Sequence, residues 1–129
     1  MATLTPTLTL TSSDLTSDAL ALSVTDSLTI TNPFTGPSKI SVTATGAENI
    51  IQPRTDGQTY YVYVKHTGVD ASGSAVTSTL NIELTDNTTV GKLAAGEFMF
   101  MPFGGHSLGV QLQSSASTII AEHAVYTKG

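Results

Sequence analysis

The chain has 129 residues, enough for one domain that buries its own core without covalent staples. It contains no Cys, which excludes disulfides, thiolate zinc sites and a cysteine nucleophile. The net charge is −5 and the five basic residues Lys39, Arg54, Lys65, Lys92 and Lys128 are scattered, which argues against neutralising a phosphate backbone and so against a nucleic-acid binder.

Ser and Thr make up roughly a quarter of the chain, and Thr suits a half-buried pleated sheet. The opening Met-Ala-Thr-Leu-Thr-Pro has no basic segment leading into an apolar run, and no apolar stretch is long enough to span a bilayer. The expectation is a soluble protein made in the cytoplasm, with no membrane partner.

Residues 3–11 alternate Leu with Thr and place Leu4, Leu8 and Leu10 on one face. Pro6 occupies the register of a missing Leu, which fits an edge strand or an extended arm because proline donates nothing to a ladder. Residues 12–18 are a polar break. Its Asp14 and Asp18 are too few for a calcium site, which takes six to eight oxygens. The expected organisation is therefore an N-terminal arm or edge strand over 1–18 and a β-sandwich domain over 19–129.

From Leu20 to Ile30 the even-numbered residues are apolar except for Asp26, which predicts two short strands or one broken strand. The cluster Asn32-Pro33-Phe34-Thr35-Gly36-Pro37 predicts a turn. Ile40, Val42 and Ala44 mark a short strand, and residues 48–57 read as a loop. Tyr60 to His66 is the most β-favouring stretch, with Val62 and Val64 inward and Tyr61, Tyr63 and Lys65 outward. Leu80, Ile82 and Leu84 predict its partner in a long-looped hairpin.

The run Gly96 to Phe103 is apolar at alternate positions of both faces. Phe98 and Phe100 point one way and Met99, Met101 and Phe103 the other. A strand apolar on both faces needs cover on both. The second set is expected outside the core, covered by the chain's own N-terminal arm, by a second copy of the chain or by a different protein, with the second copy favoured. Gly104-Gly105 predicts a tight hairpin to a return strand at Leu108, Val110 and Leu112, and residues 118–127 form the last strand. No helix is predicted. The pattern implies an all-β fold, an antiparallel β-sandwich or small barrel of eight to ten strands.

Candidate chemistry is sparse. His66, His106 and His123 lack close ligand spacing, so no metal site is expected, and no Gly-x-Ser-x-Gly elbow or phosphate-cradling glycine loop occurs. Asn87 opens an Asn-Thr-Thr sequon, read as a chance match in a Thr-rich chain. The expectation is a protein with no catalytic residues and no cofactor. Leu4, Leu8, Leu10, Tyr61, Tyr63, Met99, Met101 and Phe103 are the candidate interface residues.

The Leu/Thr start over 3–31, the Tyr60-Tyr-Val-Tyr-Val-Lys-His-Thr-Gly68 segment, Leu93 to Phe103, Leu108 to Gln113 and Ile119 to Lys128 together resemble small virion structural proteins of tailed bacteriophages, especially those of marine and cyanobacterial hosts. The resemblance implies a jelly-roll-like β-sandwich that oligomerises, often as a homotrimer. It also implies binding to assembled major capsid protein, as a decoration or cement protein on the virion surface. A tail, baseplate or fibre-adaptor protein is the alternative within the virion. A carbohydrate-binding module using Tyr60, Tyr61 and Tyr63 is the alternative outside it.

Overall fold

Period-two alternation of β-favouring side chains leaves each segment one side to bury, and the chain buries it by pairing strands antiparallel throughout. The computed structural model describes residues 1–15, 17–104 and 107–129, with backbone alone at 32 and 33. The described residues form no helix and eleven strands: β1 (Ala2–Leu4), β2 (Thr7–Ser12), β3 (Leu20–Thr25), β4 (Leu28–Val42), β5 (Glu48–Ile51), β6 (Thr59–His66), β7 (Leu80–Leu84), β8 (Thr89–Leu93), β9 (Phe98–Gly104), β10 (Val110–Ser114) and β11 (Ile119–Lys128). A five-stranded sheet runs β1-β4-β11-β6-β9, a four-stranded sheet runs β5-β10-β7-β8, and β2 and β3 make a separate two-stranded ribbon.

One core cluster draws on both larger sheets. Val42, Val62, Val64, Ile119 and Ala121 come from the five-stranded sheet, and Leu80, Ile82, Val110 and Leu112 from the four-stranded one. All nine are fully or almost fully buried, and each contributes on the order of 1.5–3 kcal/mol or somewhat less for alanine. The four-stranded sheet turns amides and acids to its other face. There Gln111 Nε2 donates to Glu83 Oε2 at 3.2 Å and to Asn87 Oδ1 at 2.9 Å. Asn87 holds the β7–β8 turn with a φ of 68°, so the sequon asparagine is a turn residue whose side chain is engaged.

Four expectations about connectivity are corrected. Tyr60–His66 and Leu80–Leu84 are not a hairpin, because β6 and β7 lie in different sheets. The chain between them crosses over and is tied down locally. His66 bonds Ser78 O through Nε2 at 2.9 Å, and its Nδ1 accepts the Gly68 N–H at 2.9 Å. Those two bonds define the Nε2–H tautomer. In the same connection, hydrogen bonds from Ser72 and from the Ser74 N–H hold the Asp70 carboxyl below its usual range.

Phe103 to Leu112 is likewise no hairpin, since β9 pairs with β6 and β10 with β5 and β7. Gly105 and His106 lie outside the described residues. The proposed loop at 48–57 contains β5, and β8 was not foreseen.

The turn cluster at 32–37 does not turn. Its backbone continues β4 for 15 residues opposite β11. Thr127 faces Thr31 while Tyr126 faces Phe34, and Val125 faces Thr35 while His123 faces Ser38, so two irregularities absorb the extra residues. Bulges are where a ladder tolerates proline and a left-handed glycine. Gly36 has a φ of 90°, and a Cβ there would collide with the His123 carbonyl oxygen.

Residues 1–18, expected as an arm or an edge strand, contain two paired strands, and β1 is the edge of the five-stranded sheet. Ala2–Leu4 faces Leu28–Ile30, and Thr7–Ser12 faces Leu20–Thr25, with the Asp26 N–H donating to Pro6 O at 3.1 Å. The boundary expected between residues 18 and 19 falls in the β2–β3 connection. Asp26 does separate two strands, β3 and β4, as its place in the alternation suggested.

Candidate interaction surface

In an antiparallel ladder, residues directly opposite one another share a face. Tyr61 faces Tyr126 on one side and Pro102 on the other, Tyr63 faces Ala124 and Phe100, and Lys65 faces Glu122 and Phe98. Phe34 extends this row from β4 by pairing with Tyr126. The face turned away from the core therefore collects Phe34, Tyr61, Tyr63, Phe98, Phe100 and Tyr126. Two pairs stack, Tyr61 on Phe100 with centroids 6.1 Å apart and Phe34 on Tyr126 at 6.5 Å. Phe98 is 62% and Phe34 57% exposed. Rings exposed to this degree beside one another form an apolar surface patch rather than singly scattered residues.

The faces of β9 are reversed relative to the expectation. Met99, Met101 and Phe103 lie opposite Val64, Val62 and Tyr60 on the core side, and Met99 and Phe103 pack against the core cluster. Phe98 and Phe100 are outward. The cause is register: pairing with β6 fixes which residues of β9 join Val62 and Val64, and flexible Met fills an irregular core edge well.

The other expected interface residues divide. Tyr61 is outward and its residue is buried by its neighbours, and Tyr63 donates its hydroxyl to Glu122 Oε1 at 3.0 Å. Burial and the Glu122 carboxylate together raise the Tyr63 phenol above its usual range. Leu4 is half-buried in β1. Leu8 and Leu10 belong to the ribbon, where Leu8 faces Val24, Leu10 faces Leu22 and Ser12 faces Leu20. One ribbon face is thus aliphatic, and the other carries Thr7, Thr9, Thr11, Ala21, Ser23 and Thr25. Leu8, Leu10, Leu22 and Val24 are 42–53% exposed.

The two apolar surfaces meet in an open groove of about 640 Å³. Its walls include Leu8 and Val24 on the ribbon and Tyr61, Phe98, Phe100 and Pro102 on the sheet, and one acid and one base, Asp26 and Lys128, also line it. Phe34 and Tyr126 were missed because Phe34 sat in an apparent turn. The readable signal was Phe98-x-Phe100-x-Pro102 in step with Tyr61-x-Tyr63-x-Lys65.

Among the described residues, neither His66 nor His123 lies on this surface. His66 and His123 face the core side of the β6–β11 ladder, both buried, and both ring nitrogens of His66 are hydrogen-bonded. His106 lies outside the described residues. Among the described residues His123 Nδ1 is buried with no hydrogen-bond partner, and burial pushes the ring below its ordinary value of 6.5. The unfolded chain therefore binds the proton first as pH falls. The stability this ring contributes is full above pH 6.5 and is lost as pH descends toward the folded value. The expected result is a steeper fall in Tm between pH 7 and 5 for the native chain than for His123→Leu, read by scanning fluorimetry. Equal slopes would show that His123 is not the group responsible.

Compared with known protein families and with curated proteins, the chain matches no family model and no curated sequence.

Proposed function

We propose that the chain is a non-enzymatic virion structural protein of a tailed bacteriophage, a decoration or cement protein that oligomerises and binds assembled major capsid protein to stabilise the head. The observation that carries this reading is the pair of uncovered apolar surfaces, the aromatic sheet face and the aliphatic ribbon. A protein that works by being covered needs such surfaces, and a small-molecule catalyst does not.

Strand order supports the same reading. Strands β4 to β11 fall into the orders β4-β11-β6-β9 and β5-β10-β7-β8. This order supports reading them as an eight-stranded jelly roll, with the two larger sheets as its sandwich, an architecture used by viral capsid proteins and by lectins. A lattice-bound trimer would engage several capsid subunits at once and hold by avidity. A tail, baseplate or fibre adaptor would use the same surfaces at lower copy number. The stacked Tyr61–Phe100 pair favours one reading outside the virion, a carbohydrate platform.

The test is the copy number of this chain in purified particles of the virus that encodes it, by quantitative mass spectrometry on separated heads and tails. The expected result is a count comparable to the major capsid protein and confined to heads. A few copies travelling with tails would move the role to an adaptor. Absence from particles, with binding on a glycan array, would replace both by the carbohydrate module.

A further inference from the structure

A second opening, a slot of about 120 Å³, shares no wall residue with the aromatic groove. It lies where β5, the edge strand of the four-stranded sheet, and the segment after it meet β4, β6 and β11. Ile50, Ile51 and Val125 give it apolar walls, and Gln52, Arg54 and Tyr60 give it polar ones, with Thr35 and Thr127 beside them. A single water needs roughly 10–15 Å³ of such space, so the slot takes a group of on the order of ten non-hydrogen atoms.

The polar groups converge as donors. Arg54 Nη1 donates to the Tyr60 hydroxyl at 2.5 Å, the guanidinium lies 5.5 Å from the Tyr60 ring centroid, and the Arg54 backbone N–H donates to Ser107 O at 3.1 Å. These contacts fix the guanidinium, and no described residue engages its Nε or Nη2. The Tyr60 hydroxyl, accepting from Arg54, keeps its own proton to give. Gln52 Oε1 accepts from Asn49 Nδ2 at 3.2 Å, which leaves the amide nitrogen of Gln52 as its open end. No carboxylate stands among the described walls. Asp56 reaches Arg54 Nη1 at 3.5 Å from outside the slot, both side chains being 44% exposed, and its other oxygen takes the Gln58 N–H. One long contact between exposed groups holds little. Asp56 therefore competes at one nitrogen and leaves the rest of the guanidinium open.

We propose that this slot binds a carboxylate carried on a short apolar body. Arg54 and the Tyr60 hydroxyl hold the carboxylate, and Ile50, Ile51 and Val125 surround the body. Donors from three side chains and no lining acid select a group that only accepts, and a guanidinium matches a carboxylate through parallel N–H bonds. The apolar walls disfavour a doubly charged anion such as phosphate, which would lose its water against them. The slot is separate from the surfaces on which the virion reading rests, so either stands without the other. Two sources supply the chemistry, a free small acid and the C-terminal residue of a peptide.

The test titrates benzoate and its neutral counterpart benzamide into isotope-labelled protein at pH 7, followed by amide chemical shifts. The expected result is saturable shifts for benzoate centred on residues 50–60 and 125–127, with benzamide weaker by about ten-fold or more. Arg54→Gln should weaken benzoate by a similar factor with the unfolding midpoint retained. Tyr60→Phe keeps the ring and should also weaken it, by removing one donor and the anchor of Arg54. Asp56→Asn should tighten benzoate several-fold, because the competing carboxylate is gone. Equal binding of benzoate and benzamide, full affinity in Arg54→Gln, or shifts that never saturate would overturn the proposal. A Gly-Gly-Phe peptide, with its C-terminus free or amidated, separates the sources. Tighter binding of the free peptide than of benzoate, with the amidated form silent, supports a peptide end as the ligand, and tighter binding of benzoate supports a free acid.

Discussion

Gly109→Ala is expected to lose on the order of 3 kcal/mol of stability, at the upper end of what overpacking costs. For a chain of this length that corresponds to a Tm lower by about 10–15 °C. Gly109 is buried at the entrance to β10, where β10 runs beside β5. A Cβ at 109 would sit inside the contact distance of the Ile51 carbonyl oxygen and against the Gln52 backbone. Nothing flexible is available to move, because the obstacle is backbone. Displacing β10 would also break the bonds Gly109 makes with Thr85, one from its N–H to Oγ1 at 3.0 Å and one from the Thr85 N–H to its carbonyl at 3.2 Å. Gly46→Ala is the control. Its Cβ would meet only Thr43 Oγ1, at 4.0 Å, and its Tm should change by little. A Gly109→Ala protein that melts with the native chain would show that β5 and β10 are not this close.

Gly109 also illustrates what a single sequence leaves hidden. Its requirement is a neighbour 58 residues earlier, and nothing in its local sequence announces that neighbour. The strands themselves were legible, because Leu20-x-Leu22-x-Val24, Val62-x-Val64 and Leu80-x-Ile82 alternate and alternation is a local property. Pairing was not legible. From β4 onward the chain changes sheet at nearly every connection, and only β7 and β8 are both consecutive and paired within the larger sheets. Turn chemistry such as Gly104-Gly105 suggested hairpins where the chain crosses between sheets. At 32–37 the ladder with β11 overrode a strong turn signal by bulging.

The interface residues followed the same division. Tyr61 and Tyr63 were read outward correctly because β6 declares its core face through Val62 and Val64. Strand β9 declares nothing, since both of its faces are apolar, and only its register with β6 assigns Met99 and Phe103 inward. Leu8 and Leu10 were found as a one-sided row. Their partners Leu22 and Val24 had been assigned to the body of the fold, although the register makes all four one aliphatic surface. The exposed aromatics were therefore visible as residues and misread as a surface.

Leu112→Ala is expected to be at least as damaging as the glycine change, at about 3–4 kcal/mol, within the range measured for leucines truncated in cores. Leu112 lies at the middle of β10, has no exposure, and faces Ile82 across the ladder. The backbone around it is bonded to β5 on one side and β7 on the other, so the walls of the cavity cannot collapse inward. Both the lost transfer energy and the residual void then count against the variant. Leu22→Ala removes the same atoms from a position 42% exposed on the ribbon, and should cost about 1 kcal/mol in a monomer because much of the side chain is already in water. Urea unfolding monitored by circular dichroism separates the two, with the midpoint of Leu112→Ala displaced at an unchanged m-value. If Leu22→Ala instead destabilises in a concentration-dependent manner, the lost energy belongs to contact between copies, since only association makes stability depend on protomer concentration.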